Sequence, residues 1–332
     1  MMHRLLKPSL LLTAALFAVS AFLVVAQDAE TTNIAVFIPV LGNSYTQSFT
    51  DGIENMVGPQ GASIQVFSGE YDQTEQLNQM QDAVTSGNFN AFIVYAIDGN
   101  GVIPGVQAAL DAGIVVVGAD VVIGPDRNSL VPYPGLAAFI GSTGEIQGTG
   151  IGEMIVMACE DIDPCEVAYL IGVQALTIDQ DRLAAIESVI AEHPNIQIVT
   201  VQEALYLQDN GYNVTQNILQ SNPEIDVIAS SGDQMTLGAE LAVQEAGLEG
   251  QIKLIGNGAG REGWQAVSEG RFFASYANIP YTQGQIAGQL TMQALRGELV
   301  IASVNTQVQS PPLPAGGAII TQANADQYEP QW

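Results

Sequence analysis

The apolar residues of this chain fall in short, separated runs, and their spacing changes character from one stretch to the next. From Asn33 onward the runs "IAVFIPV", "SIQVFS", "AFIVYA", "IVVVGA" and "AAFIGS" are followed by "VAYLIG", "IQIVTV", "DVIASS", "IKLIGN" and "FFASYAN". Between them, stretches such as "TEQLNQMQDAVTSG" and "GVIPGVQAALDAG" carry apolar residues at helical spacing, and the second closes on Ala-Gly, a helix stop. Runs rich in β-branched residues that alternate with helices predict parallel sheets covered on both faces. Ten such runs exceed one compact nucleotide-fold domain, so the expected fold class is α/β, with two doubly wound parallel-sheet lobes. The glycine-rich "GSTGEIQGTGIGEM" ends the first series and places a crossing between lobes near Gly141 to Gly144. Ligands of such sheets sit beyond the carboxyl ends of the strands, so the residues just after each run are the ones to inspect.

The one long apolar run is N-terminal. In "MMHRLLKPSLLLTAALFAVSAFLVVAQ", Arg4 and Lys7 form a basic start, and Val24 and Ala26 offer the small residues a signal peptidase accepts. Residues 1–26 therefore read as a cleaved signal peptide, with no cysteine at the cleavage point for lipid attachment. The expectation is an exported protein, periplasmic or extracellular. Its 332 residues, 47% hydrophobic and 13% charged, suit one large or two medium folded domains rather than disorder. A formal charge of −27 repels phosphate backbones and argues against a nucleic-acid partner. Cys159 and Cys165 flank "EDIDP", and an even cysteine count in an exported chain suggests a structural disulfide between them.

Catalytic constellations are thin. Past the signal segment the single histidine, His193 in "AEHPNIQ", reads as a solvated residue at a helix end. No "GxSxG" turn presents a nucleophile, and no His/Cys cluster has metal spacing. "GAGREG", Gly258 to Gly263, satisfies G-x-G-x-x-G, but the next strand ends in Asn278 rather than in an acid that would hold a ribose. These glycines read as a permissive strand-to-helix turn. No cofactor and no metal is expected.

The order of elements and several motifs resemble the type 1 sugar-binding proteins of bacterial ABC transporters, the ribose- and galactose-binding group. "NIAVFIPVLGNSYTQSFTDGIENM" resembles the family's first strand, loop and helix; "YDQTEQLNQMQDAVTSGNFNAFIVYAIDGNGVIPGVQAALDAGIVVV" resembles the region that follows. "DVIASSGDQMTLGAELAVQEAG" and "IKLIGNG" resemble two later family segments. The resemblance spans essentially the whole chain after the signal segment. It implies two lobes joined by three crossings, residues 31–141 plus 279–306 and residues 142–278 plus 307–332, closing on a ligand. Related repressors begin with a DNA-binding helix-turn-helix, which the signal-like N-terminus replaces here.

Carried over residue by residue, the resemblance implies ligand contacts at Asn43, Tyr45, Asp120, Gln180, Tyr206, Gly232, Gly258 and Asn278, to which Tyr95 is added as an aromatic in the cleft. Departures accompany them. Tyr45 and Thr46 replace two stacking phenylalanines, Val121 replaces an arginine beside Asp120, and Gln180 replaces the ligand-facing arginine while Arg182 keeps the second. Gly232 replaces an asparagine and Gly258 an aspartate. Losing both arginines and an aspartate removes charge-assisted contacts worth roughly 1.5–3 kcal/mol each, and the glycines leave room for a ligand bulkier than a pentose. Some residues carry a structural alternative: Tyr95 and Tyr206 pack between the lobes or stack on ligand, Asp98 and Asp233 cap helices, Trp264 is core, and Arg182 makes an ion pair. The implied function is a monomeric, non-enzymatic solute-binding protein that captures a small polar ligand, a sugar or polyol, and delivers it to an ABC transporter permease in the membrane. The alternatives are a receptor for a nucleoside or furanose-like signal, and a secreted carboxylate-dependent hydrolase.

Overall fold

The computed structural model describes residues 31–298, 302–307, 313 and 317–332. Residues 1–26, expected to be a signal peptide, lie outside the described residues. Each of the ten apolar runs forms a strand. In chain order the first half runs β1 (Thr32–Ile38), α1 (Ser44–Val57), β2 (Ala62–Ser68), α2 (Gln73–Ser86), β3 (Ala91–Tyr95), α3 (Ile103–Asp111), β4 (Val115–Asp120), β5 (Ala138–Gly141) and α4 (Gly144–Ala158). It continues through β6 (Cys165–Ile171), α5 (Thr177–Ile190), β7 (Ile196–Glu203), α6 (Gln208–Ser221), β8 (Val227–Ser230), α7 (Asp233–Glu245), β9 (Lys253–Gly258), α8 (Arg261–Ser268), β10 (Ala274–Ala277) and α9 (Pro280–Leu295), and ends with β11 (Ala302–Asn305) and β12 (Ile319–Thr321).

The strands build two six-stranded sheets, ordered β11-β5-β4-β3-β1-β2 and β12-β10-β9-β8-β6-β7. The two orders are the same pattern repeated, and in each the direction of winding reverses beside the lobe's first strand, at β1/β3 and at β6/β8. Such a reversal opens a crevice outside the carboxyl ends of the strands. The chain passes between sheets after β5, after β10 and after β11, three crossings in all. The first crossing falls at Ser142 and Thr143, inside the interval expected from the glycine-rich stretch. One detail departs from an all-parallel reading: β12 runs antiparallel to β10. It is a short edge strand returning after the third crossing, and an edge position accepts antiparallel pairing in an otherwise parallel sheet.

Burial follows the pattern that predicted the strands. Ile34 through Phe37 of β1 and Ala91 through Val94 of β3 are fully buried, as expected for strands covered on both faces. The helix α9 leaves the second sheet at Asn278 and packs on α1 of the first, with close backbone approach at two glycines. A Cβ on Gly52 would stand 2.2 Å from the Tyr281 carbonyl oxygen, and one on Gly284 would stand 2.0 Å from that of Phe49. Cys159, just past α4, and Cys165, opening β6, are joined by a disulfide. It lies at the amino end of the strand, the end away from the crevice. No helix among the described residues is long and apolar enough to cross a membrane.

Candidate functional site

The carboxyl ends of the two sheets face each other across a cavity lined by residues of both lobes. Its walls press together around it: Ile97 and Val121 from the first lobe share one apolar cluster with Val173, Leu176 and Ile178 from the second. Beside the cavity an ion pair of 2.9 Å between Arg127, in the β4–β5 loop, and Asp181, on α5, joins the lobes.

Asp120 terminates β4 with a left-handed φ of 61°, which turns its side chain out of the strand, and it is 4% exposed. Its Oδ2 accepts from the Tyr45 hydroxyl at 2.5 Å and from Gln283 Nε2 at 3.2 Å. The Tyr95 side chain also hydrogen-bonds to the carboxyl. Burial pushes the carboxyl above its ordinary range, offset in part by the Tyr45 hydrogen bond and the Arg182 charge. Burial and the adjoining Asp120 in turn push the Tyr45 phenol well above its usual value, so Tyr45 stays a proton donor at neutral pH. Asn43 precedes α1 and caps it, its Oδ1 accepting from Tyr45 N at 2.8 Å. Tyr95, at the end of β3, sets its ring edge-on to Tyr45 at 6.5 Å and to Phe49 at 5.9 Å.

The opposite wall is held by a buried network. Arg182 on α5 donates through Nη1 to Asp179 Oδ1 and to the Tyr206 hydroxyl, both at 2.8 Å, and through Nε to Gln147 Oε1 at 2.8 Å. Tyr206 donates to Asp179 Oδ1 at 2.6 Å, and the other Asp179 oxygen accepts from Val173 N at 2.9 Å. Burial works against the Arg182 charge, yet Tyr206 and Asp179 hold the guanidinium protonated beyond its usual range. A second network is made of amides: Asn257 donates to the Ser231 carbonyl, Asn278 to Asn257, and Gln307 of the third crossing to Asn278.

Seven of the nine expected ligand residues, Asn43, Tyr45, Tyr95, Asp120, Tyr206, Gly232 and Asn278, line this cavity. Two do not. Gln180 is exposed and donates to the Gln174 carbonyl at 3.0 Å. Two positions along a helix is about 200° of rotation, so with Arg182 turned inward Gln180 must face out; the retained arginine lines the cavity while also making the expected ion pair. Gly258 is covered by the indole of Trp332, whose Cζ2 stands 2.3 Å from where a Cβ would be. The space expected at the two glycines is taken by protein. A Cβ on Gly232 would meet Tyr206 Cδ1 at 2.8 Å, and one on Gly172 would meet Tyr206 Cε2 at 2.2 Å.

The capping expectations change too. Asp98 accepts from Asn100 N in a turn, and α3 starts later, at Ile103, behind Val102. Asp233 is the first residue of α7, but its carboxylate reaches Gly260 N at 2.9 Å and Ser275 Oγ at 2.8 Å, tying the β9–α8 turn to β10. Burial pushes its carboxyl up to about 6. Trp264 packs on the second-lobe core with Nε1 on the Ala325 carbonyl, and "GAGREG" is the β9–α8 turn, as expected. Sequence reasoning missed Tyr71, Asn257 and Trp332 as cavity residues and Gln283 behind Asp120. For Arg182 a local signal existed, because Ile178, Asp179, Arg182, Ala185 and Ile186 form the buried face of α5, and an i,i+3 charge pair inside an apolar stripe marks an inward pair.

Among the described residues no cluster of His, Cys, Asp and Glu is arranged to hold a metal.

Comparison with known proteins agrees with this architecture. Residues 34–299 match the family model described as a periplasmic binding protein domain. The D-ribose/D-allose-binding protein of Pseudomonas aeruginosa is 26% identical over 307 residues, 90% of this chain and 94% of that protein. An ABC transporter solute binding protein from Bacillus halodurans, solved with bound myo-inositol, superposes with a TM-score of 0.79 at 22% identity, covering 92% of this chain and all of the other. A periplasmic solute binding protein from Actinobacillus succinogenes, solved with bound D-allose, gives 0.76 at 24% identity and covers 90% of this chain and all of its own. The two-lobed fold and the resemblance read from the motifs are both borne out, and the chain belongs to the periplasmic binding protein domain family.

Proposed function

We propose that this protein is a solute-binding protein of an ABC importer, taking a small neutral polyhydroxylated ligand, a sugar or cyclic polyol, into the interlobe cavity and presenting it to a membrane permease. One observation carries the reading: Asp120 ends a strand and lines a cavity walled by tyrosines, its carboxylate already engaged by Tyr45, Gln283 and Tyr95 side chains that share that cavity or back it. A carboxylate accepts paired hydrogen bonds from hydroxyls, and aromatic rings cover the C–H face of a sugar. The Arg182 charge is already matched by Asp179, which favours a neutral ligand over an anion. Asn43, Tyr45, Tyr95, Tyr206 and the Asn257–Asn278 amides complete the proposed ligand set, with Arg182 in the place first given to Gln180.

The same geometry supports binding without chemistry. Among the described residues Asp120 is the one acidic side chain lining the cavity, whereas glycoside hydrolysis needs a facing pair. Residues 31–141 with 279–306, and 142–278 with the tail, are the proposed rigid lobes; ligand contacts to both favour the closed form, which is the form a permease would read. Export by cleavage of residues 1–26 and action as a monomer complete the proposal. A thermal-shift screen tests it: at a hundredfold excess over Kd a ligand stabilises the fold by about 2.7 kcal/mol, and neutral sugars or cyclitols are the expected hits. Shifts with nucleosides and none with sugars or polyols would reject the sugar reading.

A further inference from the structure

Trp332, past the family-matched stretch 34–299, enters the cavity. Gln331 is fixed to the first lobe: its carbonyl accepts from Ser48 Oγ on α1 at 3.0 Å, its Oε1 from Thr282 N on α9 at 3.0 Å, and its Nε2 donates to Thr282 Oγ1 at 2.6 Å. Trp332 is fixed to the second: its main-chain oxygen accepts from Arg261 N, opening α8, at 2.6 Å. The indole lies on Gly258 and Gly260, where Cβ atoms would stand 2.3 and 3.0 Å from ring carbons, and meets the Tyr45 ring edge-on at 5.5 Å. Its Nε1 is buried with no acceptor among the described residues, a state that costs free energy until an acceptor arrives.

We propose that Trp332 is a ligand-binding residue supplied by the tail, its ring covering the C–H face of a neutral cyclic polyol or sugar and its Nε1–H serving a ligand oxygen. The inference rests on the proposed function and adds to it a contact outside the matched family region. It also explains the glycine at 258. The family resemblance implies an aspartate there, and any side chain at that position would collide with the indole. The carboxylate is exchanged for an aromatic wall, an exchange that favours ligands with an extended apolar face. Because the ring is anchored through Gln331 to one lobe and through Arg261 to the other, its position is coupled to lobe closure.

Calorimetric titration with myo-inositol, D-allose and D-ribose, on the full chain and on its Trp332→Ala and Trp332→Phe forms, tests this. We expect Kd for the bound member to rise about 10-fold or more in Trp332→Ala and less in Trp332→Phe, which keeps a ring but loses the donor. We also expect ligand to shift tryptophan emission in the wild type and not in Trp332→Phe, where Trp264 remains. A Kd unchanged within twofold in Trp332→Ala overturns the inference and leaves the proposed function standing. So does a loss confined to Trp332→Ala that is accompanied by a lowered unliganded Tm, with Trp332→Phe binding and emitting as wild type does. If no member of the panel binds the wild type, the sugar or polyol reading fails and this inference fails with it.

Discussion

The first-lobe wall of the cavity is placed by local chemistry, with Asn43 capping the helix it precedes, Asp120 turning out of its own strand and Tyr95 ending β3, although the distant Tyr45 and Gln283 then bind the Asp120 carboxylate. Apart from the i,i+3 pair of Asp179 and Arg182, the second-lobe wall is held by groups far apart in sequence. Arg182 is fixed by Gln147, Asp179 and Tyr206, the Tyr206 ring lies over Gly172 and Gly232, and Trp332 lies over Gly258. Both walls present polar atoms and rings to one volume. A residue placed by its own strand end can be assigned from sequence, whereas a residue placed by a distant partner needs that partner's position.

Breaking the second wall should therefore disturb the fold, and breaking the first should disturb little besides ligand. Arg182→Ala leaves the Asp179 carboxylate buried without its counter-charge and should cost about 3–5 kcal/mol of stability in urea denaturation. A loss under 1 kcal/mol would mean that the network is not holding the wall.

Asp233 sharpens the same point through pH. Its carboxyl stands at about 6 in the folded protein against an ordinary 3.8, so the native state keeps its proton longer than the unfolded chain does. That contribution is fully present below about pH 4 and is lost as pH rises through about 6. Between pH 4 and pH 7 the wild type should therefore lose on the order of 3 kcal/mol more stability than Asp233→Asn, at 1.36 kcal/mol per unit of pKa difference. Parallel stability curves for the two proteins would refute it. Asn43→Ala, on the first wall, removes only a cap and should cost about 1 kcal/mol. A cost as large as that of Arg182→Ala would erase the contrast between the walls.

The contrast also explains what the chain revealed in advance. Every strand of the repeated pattern was legible, because burial on both faces writes β-branched runs directly into the sequence; β11 and β12 are short, partly exposed edge strands and left no such trace. Asp120, Tyr45 and Tyr95 were legible because a strand end or the adjoining loop places them. Gln180 was expected in the cavity and does not line it, because motif alignment does not fix helical phase, although the buried stripe of α5 records it. Gly232 and Gly258 suggested open space, since nothing local announces that rings from residues 206 and 332 fill it. Trp332 carries no pattern at all, and its place depends on where Gln331 and Arg261 meet.

The central claim is that Asp120 is the polar anchor for a neutral ligand held between the lobes. Titration calorimetry of wild type and Asp120→Ala with neutral hexoses and cyclitols tests it most directly. The account predicts binding of at least one of them by the wild type and a Kd raised about 100-fold by the substitution, the scale of charge-assisted hydrogen bonds of up to about 3 kcal/mol. Equal affinity in the two proteins would contradict it.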